Sequence, residues 1–324
     1  INSTYQPDFE KEDNSFLSRS SDQYFNERPF LQHHCYIYLT KLPANRKPAT
    51  SLFSNLLRNT IVPEETLQTQ ALSDFIDNCG QFKSILEDSG FVRMKRVKEA
   101  DLVSEEHRAG LIEKYLYLLE QETSPIIKDI SYSDGIRIGD QYCQLFTLAD
   151  AEDLPALCGS RINYDKYSTD RTKFSIGFAS TLGLLLPCNH IYNQFILIGD
   201  TQATIKKMES KRLRLQSLSA YSRENTISRD ATNDFLNEAI AEQRLPVKAH
   251  FNIFVWTDNK EEGKDLKNLV SNALAQMDAT PKQELDGAPQ IHWAGIPGNA
   301  GDLPQNETFD TFAEQASCFL NLET

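Results

Sequence analysis

The chain has 324 residues, 40% of them hydrophobic and 24% charged, enough apolar content to bury a core in one large or two modest domains. Its 33 Lys and Arg stand against 46 Asp and Glu, a formal net charge of -13 at pH 7. That excess repels phosphate backbones and anionic lipid heads at long range, which argues against either as a partner for the chain as a whole.

In chain order, residues 1–29 are polar with widely spaced apolar residues and read as a flexible arm. The run Cys35-Tyr36-Ile37-Tyr38-Leu39 has the aromatic and branched content of a strand. Residues 64–88 carry Leu67, Leu72, Phe75, Ile76, Cys79, Phe82 and Leu86 near helical period, and Gly90 stops that helix. Residues 91–97 alternate like a strand. Residues 101–122 are again helical through Leu111, Ile112, Tyr115, Leu118 and Leu119, and strand-like runs follow at 126–132 and 136–146.

Residues 149–172 hold Asp, Gly, Asn, Ser and Pro without a sustained period and read as a long loop at a subdomain boundary. Beyond it the pattern gives strands at 194–198, 247–256 and 290–294, and helices at 201–222, 229–244, 261–277 and 309–320. The expected fold is α+β, with mixed sheets covered by helices. Two subdomains are expected, at 30–150 and 173–324, joined by the 151–172 loop. No internal repeat of 20 to 50 residues is visible.

The longest strongly apolar stretch, around Leu182 to Pro187, is far short of the roughly 20 residues that cross a bilayer. Six cysteines (Cys35, Cys79, Cys143, Cys158, Cys188 and Cys318) are scattered singly, a spacing that suits buried thiols in a reducing compartment. A cytoplasmic location is the expectation. Ile1 opens the chain without a Met or a signal-like core, and Phe319 to Thr324 break off inside an apolar pattern, so both ends read as cuts.

Several motifs invite a chemical role. Phe195-Ile196-Leu197-Ile198-Gly199-Asp200 looks like the apolar strand whose closing acid positions magnesium in a P-loop NTPase. That role needs a G-x-x-x-x-G-K-[ST] loop to cradle the phosphates, and the sequence has none. Asp258 or Asn259, after a second apolar strand, is better explained as a helix cap. Residues 295–302 are glycine-rich but contain no basic residue, and Pro297 and Pro304 remove amide donors, so a plain turn is expected. His33, His34 and Cys35 are consecutive and point to opposite faces of a strand, which does not converge on one ion. Ser180 and Ser217 lack a G-x-S-x-G setting, and His190, His250 and His292 read as structural.

One surface feature remains. Lys207, Lys211 and Arg214 fall on one face of the helix after Asp200, with Ile205, Met208, Leu215 and Leu218 available for packing. Such a stripe is either a solvated face or a docking surface for an acidic partner or anionic lipid.

Particular wording carries the reading further. Leu186-Pro187-Cys188-Asn189-His190-Ile191-Tyr192-Asn193-Gln194, Glu209-Ser210-Lys211-Arg212-Leu213 and Ser228-Arg229-Asp230-Ala231-Thr232-Asn233-Asp234-Phe235-Leu236 resemble the TraG family of conjugative-transposon ATPases, within the type IV secretion ATPases. Ala249-His250-Phe251-Asn252, Ala275-Gln276-Met277-Asp278, Thr308-Phe309-Asp310-Thr311-Phe312-Ala313 and Tyr36-Ile37-Tyr38-Leu39-Thr40-Lys41 are similar to the same family. The resemblance spans nearly the whole chain and is most specific from about residue 184 to 324.

It implies a non-catalytic N-terminal interaction and assembly region, ahead of a RecA-like motor domain lying beyond residue 324. ATP and magnesium are expected for that motor and no cofactor for this region. No catalytic residue has a matching position to transfer. The implied partners are other secretion-channel components at the inner membrane, with self-association of the full-length protein and a cytoplasmic, membrane-peripheral location. An enzyme with an unrecognised site, or a weak nucleic-acid-binding module acting through the 207–214 stripe, are the rival readings.

Overall fold

The computed structural model describes residues 15–27, 32–42, 68–90, 92–119, 124–182 and 186–320. Expected features at 1–14, in the turn after Leu42, at the start of the 64–88 helix and at 120–122 lie outside these residues. The fold is α+β: a seven-stranded antiparallel sheet with helices against both faces.

The sheet is organised by β7 (Pro246–Thr257), buried on both faces over most of its length although Lys248, His250 and Asn252 alternate with its apolar residues, with Pro246 at its first position where a missing amide is tolerated. On one side β7 pairs with β6 (His190–Leu197), from His190 opposite Val255 to Leu197 opposite Lys248. On the other it pairs with β3 (Gln141–Leu148) and, nearer its start, with β9 (Phe309–Phe312). β3 in turn carries β2 (Ile136–Ile138) and β8 (Lys282–Glu284), and β1 (Ile130–Ser131) closes the β2 edge. The sheet thus takes strands from both sides of the 151–172 segment.

Strand alternation sorts the core into two layers. Val247, Ala249, Phe251, Ile253 and Val255 face α7 (Gly263–Ala275), whose Leu266, Val270 and Leu274 recur at four-residue spacing, and Phe178, Leu182 and Phe319 complete this layer. Phe254, Leu145, Cys143 and Phe195 face the opposite way, under α8 (Ala288–Ala294) and Leu303. A third, small aromatic cluster joins Tyr24 of α1 (Phe16–Glu27) to Tyr167, Phe174 and Ile176. Part of the expected arm is therefore a helix with a buried Tyr.

The α8 layer contains polar groups. His292 is 2% exposed, its ring stacked between Phe254 (centroids 4.9 Å) and Tyr115 (5.2 Å), and its Nδ1 shares a 2.6 Å hydrogen bond with the Tyr132 hydroxyl. His250, fully buried on β7, makes a 2.6 Å contact from Nδ1 to the Glu307 carbonyl. The Nε2 atoms of both rings are buried without a partner, and burial lowers both pKa values to about 4. Between them, Asn193 donates a 3.0 Å hydrogen bond to Asn252 across the β6–β7 register.

Four expectations are corrected. Residues 290–294 belong to helix α8, not a strand: Pro289 sits in its first turn, and Ala288, Ile291, His292 and Ala294 bury one face. The aromatic and branched content suggested a strand, but that content also suits a short buried helix. The helix expected over 309–320 begins later, because Phe309-Asp310-Thr311-Phe312 pairs with β7 as β9, and only α9 (Ala313–Ser317) is α-helical. The loop at 149–172 contains β4 (Arg161–Asn163), paired with β5 (Ser175–Gly177). The helix of 101–122 is split into α3 (Glu99–Leu102) and α4 (Leu111–Tyr117), and Leu118 ends α4 in the left-handed region at φ 49.

The strands expected at 35–39 and 91–97 form no ladder among the described residues. The Tyr36 and Tyr38 rings do share a face, stacked with centroids 6.4 Å apart. The helix between them is α2 (Thr69–Asp88), which has no buried residue.

Candidate interaction face

At Leu197 the chain leaves the sheet, builds two helices, and returns at Pro246 into the strand next door. α5 (Thr201–Leu218) begins at Asp200, whose carboxylate accepts from the amides of Gln202 (2.8 Å) and Ala203 (3.1 Å). The acid that looked like a magnesium ligand is thus an N-cap. α6 (Arg223–Ala241) begins at Ser222, which accepts from the Glu224 amide, and Asn225 and Thr226 donate to the Leu218 and Ser219 carbonyls to fasten the turn.

The two helices pack on one another as an antiparallel pair. On α5, Ile205, Met208, Arg212 and Leu215 alternate spacings of three and four, and on α6 Arg229, Thr232, Leu236 and Ala239 do the same, the spacing of a two-helix seam. Only Met208 and Leu215 on α5, and Thr232, Leu236 and Ala239 on α6, are buried. The base of α6 is anchored by Phe235 stacked on Phe312 of β9 at 4.5 Å. At 1.5 Å per residue, the 18 residues of α5 span about 27 Å.

Lys207, Lys211 and Arg214 all lie exposed on one line of α5. Together with Lys206 and Arg212 they oppose a single acid, Glu209, in this helix. Among the described residues, none of these five cations has an ion-pair partner. Exposed apolar side chains lie among and beyond them toward the tip: Leu213 (57%), Leu218 (41%), Tyr221 (83%) and Ile227 (61%). A long helix pair exposing unpaired cations beside apolar side chains is suited to docking rather than to chemistry.

The reading of the stripe missed its counterpart. Asp230, Asp234 and Glu238 recur every four residues on α6, where four acids oppose two cations. The same four-residue count that revealed the basic stripe would have found the acidic one.

The other motifs are used structurally. Asn259 accepts from the Glu261 amide and caps the turn into α7. Residues 295–302 form tight turns, and a side chain at Gly295 would collide with the Tyr115 hydroxyl, so the glycine allows a close approach of the chain to α4. His190 bonds the Cys188 carbonyl at 2.9 Å, and Ser217 donates to Leu213 within its helix. Burial pushes the Cys143 thiol up to about 12 and that of half-buried Cys188 up to about 11, leaving little thiolate, whereas Cys35 and Cys158 are exposed, contrary to the expectation of buried thiols. Among the described residues there is no group of three or more His, Cys, Asp or Glu placed to hold a metal ion, and no helix is long and apolar enough to cross a membrane. No protein-family model and no curated protein matches the chain.

Proposed function

We propose that this chain is an interaction and assembly module of a conjugative DNA-transfer ATPase of the type IV secretion class, standing ahead of that protein's motor. The observation that carries the reading is the α5–α6 hairpin. Its helices are long, α5 alone spanning about 27 Å, and among the described residues its five α5 cations have no ion-pair partner and lie beside exposed apolar side chains. The family resemblance supports the context, since two of its most specific stretches, Glu209 to Leu213 and Ser228 to Leu236, lie on these two helices. In this reading the channel components at the inner membrane are the partners, the protein is cytoplasmic and held peripherally by them, and ATP with magnesium belongs to the motor.

The test is genetic and enzymatic. Deleting the gene should abolish transfer of its element to recipient cells, and the parent gene should restore it. The Lys207→Glu/Lys211→Glu/Arg214→Glu gene should restore transfer poorly at equal protein level. Transfer that persists in the deletion strain, or ATP turnover by residues 1–324 alone, would sink this reading.

A further inference from the structure

The hairpin carries the two halves of an ionic contact on different helices. On α5, Lys207, Lys211 and Arg214 form one line, continued by the exposed Leu218. On α6, Asp230, Asp234 and Glu238 form another, with the exposed Ile227 at its tip end. With 3.6 residues per turn, the cationic line lies roughly a quarter-turn away from the seam marked by Met208 and Leu215. The acidic line lies nearly opposite the seam marked by Leu236 and Ala239. Neither line faces the other inside one hairpin, and no ion pair joins α5 to α6 among the described residues. The acids have local partners at most: Asp230 meets Arg229 at 2.6 Å and Glu238 meets Arg244 at 2.9 Å, both partly exposed, while Asp234 has none.

We infer that the hairpin docks on the hairpin of a second copy of this chain, the Lys207, Lys211 and Arg214 line of one against the Asp230, Asp234 and Glu238 line of the other. The spacing fits. Lys211 and Asp230 lie equally far from the turn at 219–222, and so do Lys207 and Asp234, so two hairpins side by side with tips level place Lys211 opposite Asp230 and Lys207 opposite Asp234. Arg214 then lies level with Ile227, whose apolar side chain its stem can cover. An anionic membrane fits less well, because it would meet the acidic line and a chain of net charge -13 along with the cations. Since the two lines sit on different helices and point in different directions, the contact is head-to-tail, and successive copies either close into a ring or extend.

This inference shares with the assembly reading only the premise that the hairpin is a docking face. Its test is made on the purified chain, without a transfer assay. Light scattering and sedimentation should show concentration-dependent species above the monomer at low salt that dissociate as salt rises. Lys207→Glu/Lys211→Glu should weaken self-association roughly tenfold or more, and Asp230→Lys/Asp234→Lys should do the same, because each turns attraction into repulsion. The protein with both exchanges should associate again, with circular dichroism confirming that each variant keeps its helix content. A monomer at every concentration at low salt would overturn the inference. So would self-association indifferent to both reversals, or a combined exchange no better than either alone. Binding of a monomeric parent to phosphatidylserine vesicles, lost in Lys207→Glu/Lys211→Glu, would assign the line to a membrane and overturn it as well.

Discussion

Acid should loosen the α8 face of this protein well before its carboxylates are fully protonated. His250 and His292 are buried to 0% and 2% exposure, and each Nε2 lacks a partner, so a proton added there would be a buried charge with no acceptor. Burial holds both pKa values at about 4, while the unfolded chain binds protons with a pKa near 6.5. The sign follows from linkage: between these values the unfolded state carries more protons, so stability is complete above about pH 6.5 and is lost as pH falls toward 4. At pH 5 the loss is about 2 kcal/mol per histidine relative to pH 7.5, or about 4 kcal/mol for both. Total stabilities run to only about 5–15 kcal/mol, so the midpoint of urea unfolding should fall steeply over this range. Carboxylates also begin to titrate below about pH 5, and the His292→Phe variant separates them. It keeps a ring between Phe254 and Tyr115 but cannot take up the proton, so it should lose about half of the histidine-linked slope while being less stable at pH 7.5. A parent whose stability is flat from pH 7 to 4.5, or a variant with the parent's slope, would refute the argument.

Two further expectations concern the same layer. Gly295→Ala should destabilise by roughly 1–3 kcal/mol, because the new methyl meets the Tyr115 hydroxyl, and Tyr115→Phe in the same chain should recover part of the loss in urea melts. Asn252→Ala should cost about 1–3 kcal/mol by leaving the Asn193 amide without its acceptor, whereas replacing both residues by Leu should cost less than the sum of the single changes, as a double-mutant cycle would show.

How much of this was legible in the sequence depended on local periodicity. The helices flanking the hairpin turn and the long strand β7 were readable, because Met208 and Leu215, or the alternating apolar Val247, Ala249, Phe251 and Ile253 leading into Phe254-Val255-Trp256, announce their period within one element. Where the same residues suit either structure, the reading failed. Ala288 to Ala294 is a helix because Pro289 starts it and the layer under Phe254 accepts its narrow face. Phe309 to Phe312 is a strand because β7 offers it an edge. Both outcomes are set by residues distant in the chain. The basic line was visible and its acidic counterpart was not, because α6 was expected to begin at Arg229. That start left Asp230 in its first turn, where an acid is unremarkable at a helix N-terminus.

The way the hairpin is mounted has a consequence for cooperativity. Its two helices leave and re-enter the sheet beside a single cross-strand pair, Leu197 opposite Lys248, and few buried side chains belong to them. Lengthening a closed loop adds only about 0.6 kcal/mol for each doubling of its length, so the sheet is nearly indifferent to how much chain the excursion contains. The helix pair can therefore melt, re-form or change length as a unit of its own while β6 and β7 stay zipped, and its amide hydrogens should exchange far faster than those of the central strand.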